Sequence, residues 1–444
     1  MEKNLTTGSV FKNIIFFSLP YLLSYLLQTL YGMADLFIIG QFNGVAQITA
    51  VSIGSQVMHM LTVMIVGLAM GSTVTIGKAV GAKNSSYALA AIGNTAALFM
   101  GLSAAATLLL LLFVKPIVSV MSTPAEAVSG TVTYLMICFI GIPFITAYNI
   151  ISSIFRGLGD SKSPMYFIAI SCIANIALDY LFIGGFHMGP AGAALGTTLS
   201  QTISVIVSIL VIRRPKTGLN LKKAHFKPQS AIMGQILKIG TPVALQDGFI
   251  QIAFIIITII ANRRGLDDAA AVGIVEKVIG ILILLPSTML STVSALSAQN
   301  IGAGKQERAD QTLWYAISIA VGFSLIIATA IQFTSEPVIA LFTEDPGVIR
   351  LGGQYLRGYV WDCVFLGIHF SFCGYFCACG MSGISFLHNV LSIILVRVPG
   401  AYLASRYFTD TLYPMGLAAP AGSLLSVIIC VAAFIWIKRR RSRL

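Results

Sequence analysis

From Asn13 onward the chain consists of long apolar stretches separated by short polar connectors, recurring all the way to the carboxyl end. Most stretches reach ~20 residues or more, enough for an α-helix to cross ~30 Å of hydrocarbon. The pattern predicts twelve spans, over 14–39, 48–77, 88–113, 129–155, 164–184, 191–212, 235–260, 271–300, 311–333, 349–378, 384–408 and 416–437. The longest polar connector, Arg213 to Ser230, falls at the midpoint. The expected architecture is an all-α polytopic membrane protein with an amino-terminal six-helix lobe (1–212) and a carboxyl-terminal one (235–437). A basic cytoplasmic linker (213–234) joins them, and a basic cytoplasmic tail (438–444) follows.

Composition strengthens this reading. Hydrophobic residues make up 57% of the chain and charged ones 10%, with a mean hydropathy of +0.88. Those values exclude the two or three soluble domains that length alone would suggest. The net charge of +12 would suit a nucleic-acid partner, but its placement does not. Eighteen Lys and Arg fall in the connectors on one side and in the tail, against five (Lys115, Arg263, Arg264, Arg350, Arg406) on the other. That asymmetry is a topology signal, placing both termini in the cytoplasm of a cell-membrane protein, with the lipid bilayer as partner and no nucleic acid. "MEKNLTTGSVFKN" runs into the first span without a small-residue cleavage site, so no signal peptide is expected. The seven cysteines show no zinc-ligand spacing in a loop, and Cys138, Cys172, Cys363, Cys373 and Cys430 lie inside apolar runs, against a disulfide framework. His369, Cys373 and Cys377 share one helix face; without a visible ligand from elsewhere, they read as packing.

The two halves superpose in sequence with a shift of 221: "AVSIGSQV" at 50–57 meets "AVGIVEKV" at 271–278, and "KPIVSVMSTP" from Lys115 meets "EPVIALFTED" from Glu336. Six spans per half return the chain to its starting side. The lobes are therefore expected to be related by a pseudo-twofold axis along the membrane normal, an arrangement suited to alternating access. The ionisable residues are not duplicated. Asp35 maps to Ile256, Asp179 to Gly400, Glu276 to Ser55 and Asp362 to Gly141, so the lobes are expected to do different work.

Asp35, in "YGMADLFIIG", is the only charged side chain between Lys12 and Lys78. A charge at mid-bilayer costs at least ~2.5–3.5 kcal/mol, so a carboxylate there needs a polar interior or a counter-ion. Counted from the span ends, Asp35 and Asp179 lie about 7 Å deep and Thr197 about 9 Å. Asn175 is one turn from Asp179 on the same face. Two carboxylates that close cannot both ionise comfortably without a cation. The group is therefore read as a proton carrier or, with the Asn and Thr oxygens, a site for a hard cation such as Na⁺. In the other half, Asp247, Asp362 and Arg397 fall near mid-depth, where Arg397 can form a compensating ion pair. Glu276 and Lys277 lie nearer the surface on different helix faces, the Lys snorkelling and the Glu facing a cavity. No nucleophile–base arrangement is apparent, so an enzyme is not expected.

These features resemble the multidrug and toxic compound extrusion (MATE) family of prokaryotic cation-coupled exporters. The resemblance covers nearly the whole chain: twelve spans, the six-plus-six repeat, the loops "VGAKNS" and "IGAGKQER", and "FRGLGDSKSP" after span 4. Its most specific part is Pro20 followed fifteen residues later by Asp35, together with Asn175, Asp179 and Thr197. The resemblance implies antiport, in which H⁺ or Na⁺ reaching Asp35 and Asp179 from outside drives release of an amphipathic, often cationic, compound. It also implies that Pro20 marks a kink responsive to the acidic site. Asp247, Glu276 and Asp362 do not fall on the acidic positions of the sodium-coupled branch, which leaves H⁺ and Na⁺ both open. Gln28, Tyr31 and Met33, with Asp247, Glu276 and Asp362, are candidates for lining a substrate cavity. No cofactor is expected, and the chain is expected to act as a monomer. The competing readings are a related flippase for lipid-linked saccharides, which would want a strongly cationic cavity, and an intramembrane enzyme using paired aspartates.

Overall fold

A computed structural model describes residues 4–212 and 221–441. Lys3, Arg213, Arg214, Lys216 and Arg443, all part of the charge asymmetry, lie outside the described residues. Among the described residues there is no strand, and twelve helices are long and apolar enough to cross a membrane. They are α1 (Val10–Phe42), α2 (Val45–Gly81), α3 (Ser85–Val120), α4 (Ala125–Gly157), α5 (Lys162–Gly185), α6 (Pro190–Ile212), α7 (Ser230–Asn262), α8 (Leu266–Gly302), α9 (Gln306–Ala340), α10 (Pro346–Cys379), α11 (Ser382–Tyr407) and α12 (Tyr413–Arg441). Eleven of the twelve predicted spans fall within one of them, and the span 384–408 overruns its helix by one residue, Phe408; most helices extend beyond the apolar run. Hydropathy marks the lipid-length segment, whereas helical hydrogen bonding continues into the connectors.

Two irregularities sit near prolines, where a backbone donor is missing. The α-helical path of α8 is interrupted at Ile283, three residues before Pro286, and α11 carries a π-turn over Ile393–Arg397 just ahead of Pro399. By contrast, α1 runs through Pro20 without interruption, so the residue is a weak point in a continuous helix rather than a break.

The helices form two compact units, one of residues 1–6 and 15–240, the other of 7–14 and 241–444. The division falls within α7, later than the basic connector. The start of α7 belongs to the first unit because its backbone meets that of α2: a Cβ on Gly71 would collide with Ile236 O, and one on Gly240 with Leu68 O. The core of the first unit is built from Ile38, Val51, Tyr134, Leu135 and Phe139; that of the second from Val272, Val275, Tyr355, Tyr359 and Met415.

Part of the connector read as a solvated linker is folded. Residues Lys223–Phe226 make a 3₁₀ turn held against α3 by Asn94. Its Nδ2 donates to His225 O (3.4 Å) and Lys227 O (3.3 Å), and its Oδ1 accepts from Gln229 N (2.7 Å). The lysines flanking this turn stay exposed.

Candidate functional site

The first unit gathers Asp35 from α1, Asn175 and Asp179 from α5 and Thr197 from α6 into one buried cluster; Asn175 and Asp179 are 0% exposed. Counted along each helix, Asp35, Asp179 and Thr197 lie at nearly equal depth, about 10 Å from the ends at Phe42, Gly185 and Pro190. Thr197 Oγ1 donates to Asp35 Oδ2 (3.2 Å). Asn175 and Asp179 lie beside the same carboxylate. Yet among the described residues Asp35 Oδ1, both Asp179 oxygens and both Asn175 amide atoms make no hydrogen bond.

Gly196 permits this convergence. A Cβ at that position would collide with Asp179 Oδ1 and lie 3.6 Å from Asn175 Nδ2. The sequence reading singled out Thr197 and passed over its neighbour, although the run of small residues in "GAALG" signalled a close approach. Overpacking of this kind costs about 1–3 kcal/mol, and each 1.4 kcal/mol is about tenfold in affinity. Gly196→Ala is therefore expected to raise the ion concentration needed for half-maximal transport by about 10- to 100-fold. Titrating initial rates against ion concentration in proteoliposomes checks this, and an unchanged half-saturation point would remove the glycine from the site.

Tyr31, one turn before Asp35, turns to the same cluster, with Gln201 of α6 beside its hydroxyl. Tyr134, hydrogen bonded to Ser55 (3.2 Å), and Cys138 are further neighbours on α4. Sequence reasoning missed Gln201 and Tyr134, since a Gln or Tyr within an apolar helix carries no pattern of its own. Met33 is 56% exposed, away from the cluster.

Near Pro20, Arg156 Nη1 donates to Tyr21 Oη (3.0 Å), and its guanidinium lies 4.9 Å from the Tyr21 ring centre. Arg156 was counted among the loop cations, but it is buried in the last turn of α4. Tyr21, Gln28, Tyr148 and Arg156 help line a cavity of about 20 Å³, room for a water molecule rather than a drug. Gln28 thus borders a water-sized niche. Within the first unit α1 is tied at Tyr21 and again at Asp35, with Pro20 next to the first tie.

The acids of the second unit do not converge. Asp362 of α10 is fully buried and paired with Arg397 of α11 at 3.6 Å. The guanidinium also donates to Tyr359 Oη and lies 5.2 Å from the Phe254 ring centre. This pair neutralises itself, so Asp362, a candidate for lining a cavity, is instead sealed in the packing between helices. Glu276 is half-buried and accepts from Thr258 Oγ1 (3.0 Å), while its neighbour Lys277 is exposed. Asp247 is half-buried on α7.

Oxygen donors of this kind, two carboxylates with an amide and a hydroxyl, fit a proton or a hard monovalent cation. Comparisons with known proteins agree with the architecture. The MatE family model matches twice, over residues 20–181 and 242–403. The two matches are offset by 222, one residue from the shift found within the sequence, and this places Pro20 opposite Pro242. The chain is similar to the "Probable multidrug resistance protein YpnP" of Bacillus subtilis, at 29% identity over 90% of both chains. It is also similar to the "Multidrug export protein MepA" of Staphylococcus haemolyticus, at 27% identity over 84% of this chain and 82% of that one. Among solved structures, one described as the "Outward-facing conformation of a multidrug resistance MATE family transporter of the MOP superfamily" matches with a TM-score of 0.90 at 23% identity, covering 99% of this chain and 97% of that one. With the family model covering most of its length in two copies, this chain belongs to the MatE family of multidrug and toxic compound extrusion transporters.

Proposed function

We propose that the protein exports amphipathic, often cationic, compounds from the cytoplasm across the cell membrane by antiport, in exchange for inward H⁺, with Na⁺ as the alternative ion. One observation carries the coupling: Asp35 and Asp179 are buried side by side, and among the described residues three of their four oxygens accept no hydrogen bond of normal length and geometry. A lone carboxylate in hydrocarbon is costly, and two together are more so. The cluster therefore calls for an exogenous proton or cation, and its energy depends on loading. A proton shared between the carboxylates supplies the missing donor; Na⁺ would draw on the same oxygens with Asn175 and Thr197.

Loading is read by α1. With the cluster neutralised, Asp35 is free to bring α1 closer to α5 and α6; with the cluster empty, repulsion favours separation. Pro20 lacks the N–H that would stiffen the helix between its ties at Tyr21 and Asp35, so bending is concentrated there. Alternating access follows if bent and straight α1 bias opposite faces of the transporter.

The flippase reading is weakened by the intramembrane cations. Arg397 is neutralised by Asp362 and Arg357 by Glu336, so neither is free for a diphosphate, and Arg156 alone does not make a strongly cationic cavity. The names of the YpnP and MepA relatives favour drug-like substrates.

The decisive experiment is efflux of a fluorescent aromatic cation such as ethidium from proteoliposomes under separately imposed gradients. Efflux driven by a pH gradient alone is expected. Drive by a sodium gradient alone would reassign the ion, and drive by neither would overturn antiport.

A further inference from the structure

The second unit holds a buried donor cluster that export does not use. His369 and Cys373 lie one helical turn apart on α10, and α11 supplies the ligand that the sequence alone could not place there, His388. One donor atom from each lies within 4.8 Å of the other two. Cys373 Sγ is 3.1 Å from His388 Nε2, and the two imidazole rings stand 5.4 Å apart. All three side chains are at most 2% exposed. Among the described residues, His369 Nδ1 makes no hydrogen bond. A buried nitrogen left without a partner is costly unless something else occupies it.

We propose that this cluster is a binding site for monovalent copper, held by the Cys373 thiolate and the imidazoles of His369 and His388. A soft thiolate with two imidazoles selects for Cu⁺ or Zn²⁺ among biological cations. Charge and coordination number separate them. One thiolate and two neutral imidazoles around Cu⁺ sum to zero, which a dry helix interface tolerates; around Zn²⁺ they leave a net positive charge. Structural zinc sites also use four ligands, whereas the cluster offers three, with Gln246 Oε1 and Asn389 Nδ2 each 3.9 Å from the sulfur. On binding, the Cys373 S–H bond breaks, its proton leaves to solvent and an S–Cu bond forms, with no change of oxidation state. Because the ligands come from two helices, the ion cross-links α10 to α11.

The test uses the purified full-length protein in detergent, reduced and anaerobic, titrated with Cu⁺ against a chromophoric Cu⁺ chelator. One equivalent should bind, X-ray absorption should show both Cu–S and Cu–N scattering, and the melting temperature should rise with free Cu⁺. Cys373→Ala and His388→Gln should each weaken binding by more than the roughly 10- to 100-fold that loss of an outer-shell partner costs. Cys172→Ala, in the other unit, should bind as the unsubstituted protein does. If Cys373→Ala misfolds, His388→Gln, which keeps the thiol, carries the comparison. Copper uptake unchanged in both variants, or none in the unsubstituted protein, would show a thiol–imidazole hydrogen bond only. Tighter retention of Zn²⁺ than of Cu⁺ would overturn the choice of ion.

Discussion

Asp179→Asn and Asp35→Asn, made singly, are expected to bring ion-driven efflux down to the level of empty liposomes while leaving the fold intact. The substitution keeps shape and hydrogen-bonding capacity but removes the charge whose neutralisation is proposed to drive the cycle. Among the described residues neither carboxylate is held by a basic side chain, so the amide leaves no buried cation stranded. Deleting an uncompensated buried charge is neutral or favourable for stability. Each variant should therefore melt at or slightly above the temperature of the unsubstituted protein and still bind substrate, but show no substrate movement under an imposed pH or sodium gradient. Near-normal efflux from both variants would remove the cluster from the coupling mechanism.

The opposite outcome is expected at the other acid–base pair. Arg397→Met strands Asp362, which is 0% exposed, and also removes the donor to Tyr359 and the cation over Phe254. Breaking a buried pair by removing one partner costs about 3–5 kcal/mol, mostly as the penalty on the charge left behind. Adding Asp362→Asn removes that charge, so the double variant should recover most of the loss. Reversible unfolding in a denaturing detergent measures both; a double variant no more stable than Arg397→Met would show that the arginine acts through packing alone. Any of these variants that still folds should keep its ratio of ions to substrate, since the pair is internally neutral.

This contrast was partly legible in the sequence. Hydropathy period and loop charge sufficed for twelve helices, because a bilayer permits few alternatives to a helix whose backbone bonds to itself. Counting residues from span ends brought Asp35, Asp179 and Thr197 to one level, and rigid helices preserve such counts over ten ångströms. Contacts that depend on helix rotation and approach were harder to read. Arg156 counted as a loop cation because hydropathy ends where a charge begins, yet its guanidinium turns back onto Tyr21. His388 was invisible as a partner of Cys373, since nothing in the spacing between α10 and α11 reports which faces meet. Gly196 carries no chemistry at all, and its role appears only when a carboxylate is found where a methyl group would be.

That no Lys or Arg among the described residues pairs with Asp35 or Asp179 also bears on how such a protein changes under selection. A lysine or arginine brought within reach of those carboxylates would quiet the repulsion and yield a sturdier, easily expressed molecule that no longer turns over. Screens rewarding heat resistance and screens rewarding drug resistance would therefore pull this spot in opposite directions. On the proposed mechanism, it is the lack of a basic partner for the two aspartates that lets the transporter turn over.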